Sequence, residues 1–227
     1  YILGSALYGG GPVFYDIRIP EQPILKGGFS DTSYIHDAQI ITYEGEDKNY
    51  LGREILFGSN SDGGETNQLI ILDVTEKTNP QIISTISYSY GGYTHQGWID
   101  ENHRYFYLGD ELDELRYGNK TRIITFDLKD LKNPKIHFVH EGKTDAIDHN
   151  LYIKSNKLYL SNYTAGLREF DIQNIENQEI IEEAFFDTYP ESDDASFDGV
   201  WNSYPFFESG VIAVSDISRG LFLIKRK

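Results

Sequence analysis

The sequence predicts an all-β fold, a β-propeller of four-stranded antiparallel blades, and three observations carry that prediction. An apolar run ending in aspartate recurs along the 227 residues: VFYDIRIPEQP (13–23), IILDVTEKTNP (70–80), IITFDLKDLKNP (123–134) and LREFDIQNIENQ (167–178). Between these anchors stand short runs rich in Ile, Tyr, Phe, Leu and Val, bounded by Gly, Asn, Asp and Pro, the composition of strands and turns. A histidine in one setting returns with successive units, in YIHDAQI (34–40), YTHQGWI (93–99) and IDHNLYI (147–153).

The elements follow in order. At the amino end YILGS, PVFYDI and ILKGGF supply three strands of a partial blade over 1–30. Full blades are expected at about 31–88, 89–140 and 141–186, each opening on a histidine-bearing run, with a last blade over 187–227 built from GVWNSY, GVIAVSD and GLFLIK. The aspartates Asp16, Asp73, Asp127 and Asp171 lie 57, 54 and 44 residues apart, and the loops TYEGEDKNYLG (42–52) and ELDELRYGNK (111–120) account for the longer spacings. In the last unit AVSDI (213–217) falls one strand earlier, because GLFLIKR occupies the place of GLREFDI. Helical periodicity is weak, with only IQNIENQEIIEE (172–183) offering a turn, where a strand is due. Units of this size, apolar on both faces, bury themselves by stacking radially. A β-sandwich also uses short strands, but it does not predict a recurring histidine setting. The tally of runs fits either a five-bladed ring with two incomplete sheets or part of a larger, about seven-bladed ring, and we expect the second. The chain opens on tyrosine in strand-like sequence, as expected of a chain that has lost its natural start.

Composition narrows the function classes. A formal charge of −16 repels phosphate backbones and anionic headgroups, so nucleic acid is not an expected partner. The longest apolar runs, such as LIILDV (69–74), are strand-sized and far below the roughly 20 residues of a membrane-spanning helix. With no cysteine, disulfides, thiolate nucleophiles and zinc–thiolate sites are excluded. The composition is that of a soluble globular protein. No G-x-S-x-G elbow or His-Glu-x-x-His pair is present.

The strings YIHDAQI, YEGEDKNYLGREI, ILDVTEKTNP, YTHQGW, LGDELDE, IDHNLYI, SNYTAGLR, AFFDTYPE and WNSYPFFESG run through the chain in the order found in the bacterial choice-of-anchor B family, built on LVIVD-type propeller repeats. The chain resembles that family over essentially all of 1–227. The resemblance implies an exported bacterial protein, extracellular or at the cell surface, held there by interchangeable carboxyl-terminal anchors. It also implies further blades of its own propeller before Tyr1, and it carries no biochemical activity.

Candidate site residues come from the repeat itself. His36, His95 and His149 each sit where an innermost strand begins, which places them at one mouth of the central channel. Converging neutral imidazoles suit a divalent metal, a polar ligand, or hydrogen bonds that bridge adjacent blades. Asp37, Asp148 and Asn150 are the adjacent candidates for an outer hydrogen bond on each ring, although strand alternation favours backbone carbonyls. In the fourth unit Val200 and Trp201 stand where histidine would fall, and Trp201, like Trp98, either covers a pocket or fills core. GDELDE (109–114) places Asp110, Glu111, Asp113 and Glu114 at a strand end, NSDGGETN (60–67) and ESDDASFDG (191–199) are oxygen-rich turns that suit either a solvated loop or a hard cation such as Ca2+, and the histidines suit Zn2+. Glu111 ends a strand that starts shortly after His95, so it is the candidate ligand or general base. The expected function is a non-catalytic binding or assembly module with a protein partner at the cell surface. The alternative is a metal-dependent hydrolase or lyase using the histidine mouth.

Overall fold

Within each sheet every strand hydrogen-bonds to the next along the chain, and the three full sheets hold four strands each. The computed structural model describes residues 1–61 and 66–226. Strands β1 (Val13–Asp16) and β2 (Ile24–Gly28) form a two-stranded sheet. The second sheet holds β3 (Ile35–Thr42), β4 (Glu54–Ser61), β5 (Asn67–Asp73) and β6 (Gln81–Ser87) in that order. The third holds β7 (Thr94–Ile99), β8 (Tyr105–Asp110), β9 (Arg122–Asp127) and β10 (Lys135–Glu141). The fourth holds β11 (Leu151–Lys154), β12 (Lys157–Ser161), β13 (Leu167–Asp171) and β14 (Ile181–Phe186). The last holds β15 (Val200–Tyr204), β16 (Val211–Asp216) and β17 (Gly220–Lys225). Pairing is antiparallel throughout.

The core lies between sheets rather than within one pair of them. Side chains alternate across a strand, so β4 sends Ile55 and Phe57 toward the third sheet and Leu56 toward the first. On β8, Phe106 and Leu108 join the second sheet, while Tyr105 and Tyr107 join the fourth. Leu167 meets Val200, Ile212 and Val214 between the fourth and last sheets. Each full sheet is therefore apolar on both faces, and only radial stacking buries both. The first strands β3, β7, β11 and β15 contact one another in sequence, which makes them innermost. Strands β6, β10, β14 and β17 form the outer edge, with alternate residues exposed. Among the described residues the sheets do not close into a ring.

The repeated aspartates have a physical role. Each accepts a hydrogen bond from the amide two residues on, at 3.1 Å for Asp16 and Asp73, 2.9 Å for Asp127, 2.7 Å for Asp171 and 2.9 Å for Asp216. This Asx turn ends the strand and starts the polar turn. A base from the start of the second strand pairs with three of them, Arg53 with Asp73, Arg104 with Asp127 and Lys157 with Asp171. Asp216 ends a second strand rather than a third, as the offset of AVSDI requires.

Two expectations are corrected. YILGS is not a strand: only Ile2 bridges Val13, because Gly4, Tyr8, Gly9 and Gly10 take positive φ and turn the chain away. The loop 111–120 contains a helix, α1 (Asp113–Tyr117), ended by Gly118 in the left-handed region at φ 70°. Residues 172–183 combine a 3-10 turn at Ile175–Asn177 with the start of β14. Of NSDGGETN, positions 62–65 lie outside the described residues.

Candidate functional site

The inner strands share a defect at one end, and that defect builds the site. In β3, Ile35 pairs with Asn60 and Asp37 with Ser59, so His36 is left out of the ladder. In β7, Thr94 pairs with Asp110 and Gln96 with Gly109, leaving out His95. In β15, Val200 pairs with Asp216 and Asn202 with Ser215, leaving out Trp201. Ahead of β11 the His149 amide donates to the Ser161 carbonyl and the Ser161 amide donates to the Asn150 carbonyl, again two residues against one. A bulge re-aims the extra side chain. Four consecutive blades thus turn His36, His95, His149 and Trp201 toward one mouth.

The rings form a continuous row of tilted contacts. Centroids are 4.5 Å apart for His36 and His95, 4.2 Å for His95 and His149, and 4.7 Å for His149 and Trp201. Glu111, the residue after β8, lies among them, with Oε2 3.7 Å from Nε2 of His95 and Oε1 3.5 Å from Nε2 of His149. The Tyr163 hydroxyl donates to Glu111 Oε1 at 2.8 Å.

Hydrogen bonds set the protonation pattern. Nδ1 of His149 lies 2.5 Å from the Trp201 carbonyl, which only accepts, so this nitrogen carries the proton and Nε2 keeps its lone pair. Burial lowers all three imidazoles, His149 to about 4 and His95 well below its ordinary value, where its histidine neighbours add to the effect. Burial likewise raises Glu111. Nδ1 of His95 is buried without a hydrogen-bond partner. The backbone of His149 favours its charged form, an influence too weak in geometry to count as a bond.

Donor atoms of His95, His149 and Glu111 all lie within 4.8 Å of one another. Two imidazoles and one carboxylate are a donor set for a first-row metal, and the Trp201 carbonyl supplies the outer hydrogen bond that such a ligand uses. His36, expected as the third metal ligand, lies outside this group. Its Nδ1 faces the hydroxyls of Tyr93 at 3.2 Å and Tyr34 at 3.5 Å.

The remaining candidates separate. Asn150 turns its amide toward the Trp201 carbonyl at 3.4 Å. Asp37 accepts from the Ala38 amide and Asp148 belongs to a separate acidic cluster, so neither orients a histidine. Trp98 packs with Tyr152 and Phe206, away from the mouth. Residues 191–199 form turns without regular structure, where Glu191 pairs with Arg219. Tyr34, Tyr93 and Tyr163 were not singled out from sequence. With 17 tyrosines in the chain, nothing local distinguishes the three that face the mouth.

No protein-family model and no curated protein matches this sequence. Among solved structures, a protein from Lactobacillus plantarum is similar at 12% identity and TM-score 0.66, over 97% of this chain and 62% of its own. The Cps50 (Swd1) β-propeller domain from Myceliophteria thermophila is similar at 11% identity and TM-score 0.64, over 96% of this chain and 64% of its own. The chain spans just under two thirds of the length of both. Among the described residues no helix is long and apolar enough to cross a membrane. The blade order, the radial cores and these two likenesses together establish the fold as a β-propeller.

Proposed function

We propose that this chain is a non-catalytic binding module whose recognition point is the mouth lined by His36, His95, His149, Trp201 and Glu111. The observation that carries the reading is the repeated bulge. Four blades expend a ladder position each to turn one ring toward the same point, and burial keeps the imidazoles neutral, as a site for a polar or cationic group of a partner requires. The resemblance to the choice-of-anchor B family supports an exported bacterial protein at the cell surface, with a protein as its partner and with further blades completing the ring. The acidic surface disfavours nucleic acid.

The test uses immobilised native chain beside Trp201→Ala and His95→Gln, with surface-protein extract of the source cells as the analyte. A defined protein retained by the native chain and lost from both variants supports the reading. Equal retention by all three removes the mouth from recognition.

A second reading, a metal-dependent hydrolase or lyase, is favoured by the close grouping of His95, Glu111 and His149. Its test is a Co2+ titration followed by visible absorption, together with turnover of activated esters by the Zn2+-loaded protein. Tetrahedral Co2+ bands and turnover that are both lost in Glu111→Gln would favour this reading over the module.

A further inference from the structure

Behind the mouth lies a second constellation whose hydrogen bonds, from the Asp148 amide to Glu114 Oε1 and from Arg122 and Asn119 to Asp113 Oδ2, leave four buried carboxylate oxygens without a partner. Asp113 and Glu114 open α1, and Asp148 comes from the segment that leads into the next blade. All three are buried, with one carboxylate oxygen from each within 4.8 Å of the others. Asp148 is fully buried and neither of its oxygens has a hydrogen-bond partner; the Arg122 amide acts on it without reaching bonding geometry. Oδ1 of Asp113 and Oε2 of Glu114 are also buried without a hydrogen bond of good geometry, although the two carboxyls act on each other. Oδ1 of Asp148 occupies the place a side chain at Gly109 would fill, since a Cβ there would lie 2.6 Å from it.

The charges do not balance. Arg122 pairs with Asp113 and also donates to the carbonyls of Ser89 and Tyr90, so its charge is shared rather than given to the cluster alone. Asp110, close enough to add to the repulsion, is occupied by the amides of Gly92 and Tyr93 and the hydroxyl of Tyr88. Lone buried carboxylates cost several kcal/mol each, so a cation or shared protons must compensate.

We propose that Asp113, Glu114 and Asp148 bind a hard divalent cation, Ca2+ by preference, which ties the third sheet to the fourth directly behind His149. The donor set is all oxygen, which selects Ca2+, Mg2+ or Mn2+ over zinc. Oxygens on opposite sides of Ca2+ bonded at about 2.3–2.6 Å lie about 4.6–5.2 Å apart, and smaller angles bring them closer, so the observed spread fits one ion. Four unpartnered oxygens also approach the coordination Ca2+ takes from protein, whereas Mg2+ retains several waters. The site is distinct from the histidine mouth in donor chemistry and in residues.

The experiment uses the full chain, dialysed against EDTA and returned to Ca2+, Mg2+ or Mn2+, with metal content, calorimetric binding and thermal unfolding as readouts. The expected result is one Ca2+ per chain and a Tm that rises with free Ca2+, by mass action, with both lost in Asp148→Asn. Saturating Mn2+ or Mg2+ in place of Ca2+ would keep the site and overturn the preference. Absence of binding and of any Tm shift with all three ions overturns the proposal. So does an Asp148→Asn variant that binds Ca2+ like the native chain. Shared protons alone would leave the native chain indifferent to EDTA, which also refutes it.

Discussion

Gly97 on β7 has no room for a methyl group, and the consequence is measurable. A Cβ at this position would lie 2.3 Å from Cε1 and 2.5 Å from Cζ of Phe106, and 2.6 Å from the Tyr107 carbonyl oxygen. Phe106 is fully buried and stacks on Phe57 of the preceding sheet, with ring centroids 5.7 Å apart and planes at 26°. The ring therefore has no free direction in which to retreat, and the carbonyl belongs to a paired strand. Gly97→Ala is expected to cost about 2–3 kcal/mol, the upper part of the range for overpacking. That corresponds to a fall in Tm of about 4–12 °C at this chain length. Phe106→Ala alone should cost about 3–5 kcal/mol, through lost burial and a cavity. In the double variant the new methyl enters the space the ring has left, so the combined cost should fall short of the sum by about 1–2 kcal/mol. Urea unfolding of the four proteins, with equal m-values, measures this. A neutral Gly97→Ala, or additivity within about 0.5 kcal/mol, would refute the packing argument.

Other perturbations have equally definite outcomes. Tyr163→Phe removes the hydroxyl that donates to the half-buried Glu111 and should destabilise by about 1–3 kcal/mol, read in urea, with Tyr163→Trp no substitute. Asp127→Ala removes both the Asx turn and the Arg104 pair, so a loss of about 1–3 kcal/mol is expected, and Asp127→Asn should recover the turn but not the pair. His103 accepts the Glu44 amide through Nδ1 at 2.9 Å, and burial lowers its pKa. Below the ordinary imidazole value the unfolded chain then takes up a proton that the folded chain resists, so stability should fall as pH drops from 7 toward the lowered folded value. Because His36, His95 and His149 are lowered as well, His103→Gln should make that part of the pH–stability curve shallower by one proton's share, and an unchanged slope would count against it.

Much of the architecture was legible because it repeats. The aspartate-terminated runs mark strand ends since an Asx turn needs a short carboxylate two residues before a free amide, and that requirement is local. Local rules failed where backbone geometry competes with composition. YILGS has strand-forming residues, yet the positive φ of Gly4, Tyr8, Gly9 and Gly10 leaves a single bridge. The stretch after Glu111 has no helical period long enough to register, yet it closes one short helix ended by Gly118.

The sequence by itself determined the blade rhythm, the place of His36, His95 and His149 at equivalent points, and the substitution of Trp201 in the fourth. Tertiary structure decided how those points are used. Bulges, which arise from the pairing register of two strands, aimed the rings together, so His36 shares the row of rings but stands outside the donor group of His95, Glu111 and His149. The same register sent Asp148 away from the histidine beside it and into contact with Asp113 and Glu114, more than thirty positions earlier. Residue types are written in the chain, but convergence depends on distances between strands that sequence spacing does not encode.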